Sequence, residues 1–182
     1  VHTQDFGWLG WAKNGAGAGS SGYSRRIEGI QIKLVAKGAA APGSTSGAFK
    51  DRTTIQNVVY QAHMQDYGWY TTAFNGSTGG VTGAAKRMEA LKISLENTAY
   101  TGGIQYRAHV QNIGWQSWKS NGAVSGTEGK KLRMEAVQIQ LTGEMAKKYD
   151  IYYRVHVQDY GWLGWTNNGA KAGTDGLNMR KE

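Results

Sequence analysis

Two segments of the chain alternate between apolar and polar residues, which is the pattern of a half-buried β-strand. In the segment YRAHVQ at 106–111, the first, third and fifth residues are apolar and the others are polar. The segment LRMEAVQIQL at 132–141 also alternates, but its phase changes near Glu135. A phase change within a strand predicts a β-bulge or a break into two strands. Between the two segments, GWQSWKSNG predicts a short strand that ends in an Asn-Gly turn.

The same pattern occurs four times, and each occurrence contains the motif His-x-Gln-(Asp/Asn)-x-Gly-Trp. An Asn-Gly, a Gly-x-x-Gly and an Arg-x-Glu follow it in every copy. The separation from the histidine to the arginine is 24 residues each time, so the intervening turns must be geometrically specified. Such self-similarity at a fixed period indicates a repeat architecture. With about four short strands per unit and glycine-rich turns between them, the sequence predicts an all-β fold.

Four repeats of about 46 residues, built from short antiparallel strands, favour a β-trefoil-like arrangement. A small propeller and a linear stack of β units stay open as alternatives. The segment 36–54 is rich in Ala, Gly and Ser and holds the only proline, which predicts a linker. Repeat 1 precedes it at 1–35 as a fragment of a preceding or neighbouring unit, and a three-repeat domain follows it at 55–182. Within that domain we assign repeat 2 to 55–97, repeat 3 to 98–143 and repeat 4 to 144–182.

Composition narrows the chemistry without naming it. The 182 residues carry a formal charge of +8 and no cysteine, so neither a disulfide framework nor a thiolate zinc site is available. No apolar run approaches the roughly 20 residues of a membrane span. The basic balance suits anionic polymers as partners, although scattered lysines and arginines also fit an ordinary solvated surface. The chain starts and stops inside repeats, so we expect it to be cut from a longer one.

Repeat 3 carries the fullest form of the motif, YRAHVQNIGWQSWKSNGAVSGTEGKKLRMEAVQIQL. This string resembles the clostridial hydrophobic repeat with a conserved tryptophan, the ChW repeat. The resemblance covers nearly all residues outside the linker. It implies a secreted or surface protein of a Gram-positive bacterium, in which such repeats accompany polysaccharide-related proteins and mediate adhesion or ligand binding. It implies no catalytic residues.

The tryptophans and the acidic turn residues are the candidate ligand-binding groups, because a sugar offers an apolar face and a rim of hydroxyls. The first tryptophan of each repeat fits a core position as well as a site, and the core interpretation is the one favoured by its large apolar area. The second tryptophan is the better candidate, since repeat 2 replaces it with Thr72 and a core position would lose ~3–5 kcal/mol. The candidate ligand-binding residues are Trp8, Trp11, Asp5, Trp69, Asp66, Trp115, Trp118, Asn112, Trp162, Trp165 and Asp159.

The histidines and the Arg-x-Glu motifs have simpler expected roles. We expect each histidine to contact a neighbouring carboxylate or backbone group, and a ligand contact stays open for His2, His63, His109 and His156. Nothing at metal-ligand spacing accompanies them, so we expect no metal and no other cofactor. Two residues apart on a strand share a face, which predicts structural ion pairs. These pairs are Arg26 with Glu28, Arg87 with Glu89, Arg133 with Glu135, and Arg180 with Glu182.

These observations favour a non-catalytic, multivalent carbohydrate-binding or adhesion module of a Gram-positive cell-surface or secreted protein. The turn carboxylate becomes Asn112 in repeat 3, and glycosidase chemistry needs two carboxylates of fixed role. The expected partner is a polysaccharide or cell-wall glycan, and the expected location is extracellular or the cell surface. The alternative is a structural self-assembly module, in which IEGIQIKL at 27–34 adds to a repeat of another copy or another surface protein. No nucleic-acid motif is present, so we do not expect nucleic acid as a partner.

Overall fold

A computed structural model describes residues 1–53 and 57–174 of the chain. The chain divides into two compact units, Val1–Gln56 and Asn57–Glu182. Its regular structure is nearly all β-strand, and this confirms the predicted fold class. The first unit contains β1 His2–Thr3, β2 Gly7–Trp8, β3 Gly19–Ser21, β4 Ile27–Gly29 and β5 Phe49–Asp51.

The second unit holds repeats 2 to 4 and one short helix. Repeat 2 contributes β6 Asn57–Met64, β7 Gly68–Trp69, β8 Ala73–Phe74 and β9 Met88–Glu96. Repeat 3 contributes β10 Gly102–Val110, β11 Gly114–Trp115, β12 Lys119–Ser120, β13 Ser125–Gly126, β14 Met134–Thr142 and α1 Gly143–Lys148. Repeat 4 contributes β15 Tyr152–Tyr153, β16 His156–Val157, β17 Gly161–Trp162, β18 Thr166–Asn167 and β19 Ala172–Gly173.

In the first unit, β1 lies between β2 and β4 in an antiparallel sheet. A second, parallel pair joins β3 to β5, with Gly19 opposite Phe49. The segment 36–54 was predicted to be a linker, and the structure differs there because residues 49–51 form a paired strand. The pairing gives hydrogen-bond partners to backbone groups of β3 that would otherwise lie at a sheet edge.

In the second unit, each of repeats 2 and 3 is built on one long antiparallel pair. Strand β6 pairs with β9, and β10 pairs with β14, each over eight residue pairs. The register slips at one point in both pairs: His109 lies opposite Ala136, whereas Val110 lies opposite Met134. Glu135 is therefore the extra residue of a β-bulge, which confirms the predicted irregularity. Glu89 occupies the same position in repeat 2.

One core runs through repeats 2 to 4. Tyr106, Ala108 and Val110 of β10 are fully buried, so the apolar face predicted for this strand is the inner one. The other core residues come from long strands and from repeat 4: Leu91, Ile93, Ile104, Met134, Val137, Ile139, Ile151, Tyr153 and Ala172. The Tyr106 hydroxyl donates a hydrogen bond to the Ala123 carbonyl, so its polar end is satisfied despite burial.

The Asn-Gly turns fix the ends of the first strands. Asn121 adopts a left-handed backbone conformation with φ of 45°, which asparagine tolerates better than most residues. Its side-chain oxygen accepts a hydrogen bond from the Ile104 backbone N–H at 3.1 Å. The same bond recurs between Asn75 and Val58 at 2.8 Å, and between Asn168 and Ile151 at 3.1 Å. Each turn therefore holds the strand that begins 17 residues earlier.

Consecutive repeats join through a short strand that each adds to the long strand before it. Strand β13 pairs with β9, and β19 pairs with β14. The contact is close at Gly126, where an added Cβ would lie 2.4 Å from the Glu89 carbonyl oxygen. No sheet closes into a barrel among residues 1–53 and 57–174.

The helix α1 was not predicted from the sequence. It lies in the connector after β14 and buries Met145. Glu144 lies in its first turn, and Lys147 and Lys148 lie in its last turn. This charge order complements the helix dipole, and it was the one available signal for such a short element.

Candidate functional site

Each motif histidine lies directly opposite the tryptophan six residues later. The register pairs His2 with Trp8, His63 with Trp69, His109 with Trp115, and His156 with Trp162. Two left-handed residues close the turn between them, an Asp or Asn with φ of 61–66° and a Gly with φ of 68–82°. Because only a few residue types tolerate these angles, the turn explains both the invariant glycine and the fixed spacing.

The rings of each pair meet edge to face. The histidine and tryptophan centroids are 5.4 Å apart in repeats 1 and 2, 5.3 Å in repeat 3 and 5.5 Å in repeat 4. Directly opposed residues of an antiparallel pair share a face of the sheet. Each first tryptophan therefore lies on the histidine face, away from the face that carries the core.

This placement contradicts the favoured interpretation of the first tryptophans as core residues. Trp8 and Trp162 are 55% and 42% exposed, and Trp69 and Trp115 are half-buried. Of the second tryptophans, Trp165 is 56% exposed, and Trp11 and Trp118 are half-buried. No tryptophan belongs to the core cluster of the described residues.

The bulge turns a glutamate towards the histidine of its own repeat. Nδ1 of His109 lies 3.2 Å from Oε2 of Glu135, and Arg133 lies 2.8 Å from the other carboxylate oxygen. Repeat 2 has the same arrangement at 3.3 Å and 2.7 Å, and repeat 1 has it at 3.4 Å and 3.0 Å. The histidine contact has ion-pair distance without hydrogen-bond geometry at Nδ1 of His109. Arg180 and Glu182 lie outside the described residues.

Burial separates these ion pairs. The side chains of Glu89 and Glu135 are 7% and 6% exposed, whereas Glu28 is 32% exposed. A buried carboxylate needs its partners, since an unpaired buried charge is costly. The two buried glutamates therefore hold histidine and arginine in place, and this is a structural arrangement around the tryptophan.

The acidic turn residues have charged partners where the sequence offers them. Asp5 lies 2.9 Å from Arg25, and Asp66 lies 2.6 Å from Lys86. The hydrogen bond from Lys86 lowers the pKa of the Asp66 carboxyl. Repeat 3 has Asn112 at the aspartate position and Leu132 at the cation position, so both partners of the pair are replaced together. A role of Asp5, Asp66, Asn112 or Asp159 in ligand binding stays a prediction.

Two arginines that the sequence analysis did not single out complete the tryptophan sites. The Arg107 guanidinium carbon lies 5.1 Å from the Trp115 ring centroid and 4.8 Å from that of Trp118. The Arg154 guanidinium lies 4.8 Å and 4.7 Å from Trp162 and Trp165. We call each set a Trp–Arg–Trp stack. Each arginine precedes its histidine by two residues and so shares its strand face, which was the sequence signal for it.

Repeat 2 lacks this stack. Gln61 takes the arginine position and Thr72 the position of the second tryptophan. In their absence Lys92 lies 4.4 Å above the Trp69 ring, and Trp69 Nε1 donates a hydrogen bond to Glu128 at 3.2 Å. The arginine and the second tryptophan are therefore lost together, and other side chains occupy the remaining ring.

The tryptophans line two open cavities. In the first unit, a cleft of about 300 Å³ is lined by Trp8, Trp11, Ile30, Ile32 and Lys33 among others. In the second unit, a groove of about 220 Å³ lies between repeats 2 and 4, and Trp162, Trp165 and Arg154 contribute to its wall. The rest of that wall is mostly apolar and includes Tyr60, Ile93, Ile139 and Tyr153. Cavities of this size hold one or two sugar-sized groups.

The described residues contain no cluster of three His, Asp or Glu side chains that could hold a metal ion. Within the same residues, no helix has the length and apolar character needed to cross a membrane.

Comparison with known proteins identifies the repeat. No match is found among curated proteins or among solved structures. A family model described as Clostridial hydrophobic W matches residues 2–36, 63–97, 109–143 and 156–182. Each match begins at the histidine whose ring contacts the first tryptophan, and together the four matches cover most of the chain. The chain therefore belongs to the Clostridial hydrophobic W (ChW) family, as the resemblance of its motif predicts.

Proposed function

We propose that this chain is a non-catalytic, multivalent carbohydrate-binding or adhesion module of a cell-surface or secreted protein of a Gram-positive bacterium. The observation that carries the proposal is the recurrence of paired, partly exposed tryptophans at equivalent positions of repeats 1, 3 and 4. Aromatic faces beside polar side chains suit the apolar C–H face and hydroxyl rim of a sugar. ChW repeats are typical of surface proteins, which supports an extracellular or cell-surface location.

The geometry of the polar residues supports a non-catalytic role. Glu89 and Glu135 are held by histidine and arginine, and Asp66 is paired with Lys86. A general acid needs a carboxyl with a raised pKa, whereas the pKa of Asp66 is lowered. Repeated weak sites increase the overall affinity for a polymer through their effective concentration, without any new contact.

A glycan array, followed by titration with the polysaccharides that bind, tests this function. The informative variants are Trp118→Thr and Trp165→Thr, because threonine is the residue that repeat 2 already has at this position. We expect each to weaken binding while the fold is retained. Binding that is absent across the array, or unchanged in the double variant, would contradict the proposal.

We also propose a trefoil-like arrangement for repeats 2 to 4. Its support is that the three repeats contribute to one core and that a single groove is lined by residues of all three. The successive pairing of β13 with β9 and of β19 with β14 is equally compatible with a linear stack. A crystal structure that includes the end of repeat 4 distinguishes the two, since a trefoil needs that end to meet repeat 2.

Self-assembly is a second candidate function, and one observation favours it. Ile30, Ile32 and Leu34 are 66%, 86% and 97% exposed and point alternately along an extended segment. The equivalent Leu91 and Ile93 of repeat 2 are buried in the core. We propose that this segment of one copy adds to a repeat of a second copy.

Light scattering over a range of protein concentrations tests this assembly. We expect dimers or larger species, and we expect Ile32→Lys with Leu34→Lys to abolish them. Ile113→Lys is the matched control, because Ile113 is also exposed but lies in a turn of repeat 3. A chain that stays monomeric at every concentration would contradict self-assembly.

A further inference from the structure

We infer that the Trp–Arg–Trp stacks of repeats 3 and 4 recognise an anionic group on the glycan, so that the ligand is an acidic polysaccharide. The inference rests on the proposed carbohydrate-binding function and names the substrate class of that site. It starts from the two stacks, in which the guanidinium groups of Arg107 and Arg154 lie between paired tryptophan rings.

The two stacked arginines differ from the arginines of the Arg-x-Glu motifs. Arg26, Arg87 and Arg133 each form an ion pair with a glutamate of their own repeat. Arg107 uses only Nε, which donates a hydrogen bond to Gln138 at 2.7 Å. For Arg154, contacts with the two tryptophan rings are the interactions found. Neither Arg107 nor Arg154 forms an ion pair within the described part of the chain.

The rings hold the guanidinium without using its hydrogen-bond donors. Cation–π attraction acts on the flat face of the group, whereas its N–H donors point outward in the plane. A planar fork of this kind matches a carboxylate or phosphate through two parallel hydrogen bonds. Because the two rings fix the orientation of the fork before a ligand arrives, less conformational entropy is lost on binding.

The surroundings favour an acidic sugar over a neutral one. A neutral sugar needs a free aromatic face, but one side of each tryptophan in the stack already lies against a cation. Arg154 is exposed beside Trp165, which is itself 56% exposed. A sugar can therefore contact the outer part of the ring while its anionic group reaches the guanidinium. The formal charge of +8 also attracts an acidic polymer over a longer range.

Nucleic acid shares the negative charge but fits the site less well. Single-stranded nucleic acid binds without sequence preference when successive bases stack on open aromatic side chains. In each stack the guanidinium takes the space between the two rings, at 4.7–5.1 Å from their centroids. A base cannot enter between them, so we commit to the glycan.

Repeat 2 provides the internal comparison for the experiment. It has Gln61 and Thr72 at the positions of the arginine and the second tryptophan, and it still forms the hairpin, the bulge and the ion pair. Arg107→Gln and Arg154→Gln therefore introduce a residue that the fold already accepts at this position. The charge-matched control is Lys130→Gln with Lys131→Gln, which removes two exposed cations outside the stacks.

The experiment is calorimetric titration of the full chain with oligogalacturonate in its free-acid and methyl-ester forms. The two forms share one sugar backbone and differ in charge. A glycerol-phosphate polymer distinguishes a preference for phosphate from one for carboxylate. We expect an acidic form to bind and the ester to bind at least about tenfold more weakly, the usual effect of losing a charged hydrogen bond.

We expect a similar loss of acidic binding, about tenfold or more, in Arg107→Gln with Arg154→Gln. The lysine control should retain most of its affinity. Arg107→Lys with Arg154→Lys keeps the charge and loses the planar fork, so we expect it to resemble the glutamine variant. Equal thermal unfolding of these variants and the parent chain would show that the loss is local to the stacks.

The remaining outcomes separate this inference from the proposed function. Equal binding of acid and ester, unaffected by the arginine variants, overturns the acidic class and leaves carbohydrate binding in place. Absence of binding both here and on the glycan array overturns both. An oligonucleotide of equal charge that binds more tightly, with the same arginine dependence, overturns the glycan in favour of nucleic acid.

Discussion

Repeats 2 and 3 share a hairpin, a bulge and a buried ion pair, but they differ at the second tryptophan. In repeat 3, Trp118 and Trp115 enclose Arg107. In repeat 2 the corresponding residues are Thr72 and Gln61. Since both repeats fold alike around their histidine, the Trp–Arg–Trp stack is not needed for the fold. The difference separates a framework, which every described repeat has in whole or part, from a site that only some repeats have.

The framework consists of groups that satisfy one another. The Tyr60 and Tyr106 hydroxyls donate to backbone carbonyls of their own repeats, and burial raises the pKa of Tyr60 to about 12. Glu89 and Glu135 each contact a histidine and an arginine. Substitutions in the framework should therefore affect stability in both repeats alike, and substitutions in the stack should affect binding.

The largest effect should come from the contact that joins the two repeats. Gly126→Ala places a methyl group 2.4 Å from the Glu89 carbonyl oxygen at a residue with φ of 111°. We expect the free energy of unfolding to fall by about 3–5 kcal/mol, because backbone strain and a steric clash add together. Urea denaturation followed by tryptophan fluorescence measures the loss.

Gly122→Ala is the control for that substitution. Gly122 also has a positive φ, of 90°, but an added Cβ would meet no atom within 4 Å. It should cost only the backbone term of about 1–2 kcal/mol. Equal losses for the two variants would mean that the contact between repeats 2 and 3 is looser than the structure indicates.

The next effect concerns the shared ion pair. Glu89→Gln and Glu135→Gln each leave a histidine and an arginine without their buried carboxylate, so we expect about 3 kcal/mol of destabilisation in each case. Glu28→Gln, at a position with a 32% exposed side chain, should cost less than about 1 kcal/mol. Thermal or urea unfolding of the three variants provides the comparison. A large difference between Glu89→Gln and Glu135→Gln would show that the framework is not equivalent in the two repeats.

Some of this framework could be predicted from the sequence, because it depends on neighbours along the chain. The phase change at Glu135 predicts the bulge, and the Arg-x-Glu spacing places Arg133 and Glu135 close together. The alternation in 106–111 correctly assigns Tyr106 to the core. These inferences need only the geometry of one strand, which a period of two residues describes.

The stack and the parallel strand could not be predicted in this way. The favoured core position of Trp115 was wrong because the tight turn returns it to the histidine face, and the strand pattern alone does not describe that turn. The partnership of Arg107 with Trp118 depends on the closing of the same hairpin. The strand at 49–51 pairs with Gly19–Ser21, a non-local contact that the composition of the linker does not indicate.

A smaller effect should measure the stack itself. In repeat 3, the double-mutant cycle of Arg107→Gln and Trp118→Thr should give a coupling energy of about 1 kcal/mol, the usual size of a partly exposed cation–π contact. The reverse pair in repeat 2, Gln61→Arg with Thr72→Trp, should give a coupling of the same sign. Urea unfolding of the single and double variants supplies both values. Coupling in repeat 3 alone would mean that the framework is not sufficient to form a stack.

The smallest effect concerns the turn, where repeats 2 and 3 differ a second time. Lys86 lowers the pKa of Asp66, so the pair stabilises the folded chain above the ordinary aspartate pKa of 3.8, and this contribution is lost as the pH falls through the lower folded value. Lys86→Met should move the Asp66 pKa upward towards 3.8 in a carbon-13 NMR titration of the carboxyl group. In repeat 3, Asn112→Asp alone should titrate at a higher pH than Asn112→Asp combined with Leu132→Lys. An Asp66 titration that Lys86→Met leaves unchanged would assign the lowered pKa to its lesser causes, the Gln65 side chain and the Arg87 charge, and would leave the joint replacement at Asn112 and Leu132 without an electrostatic explanation.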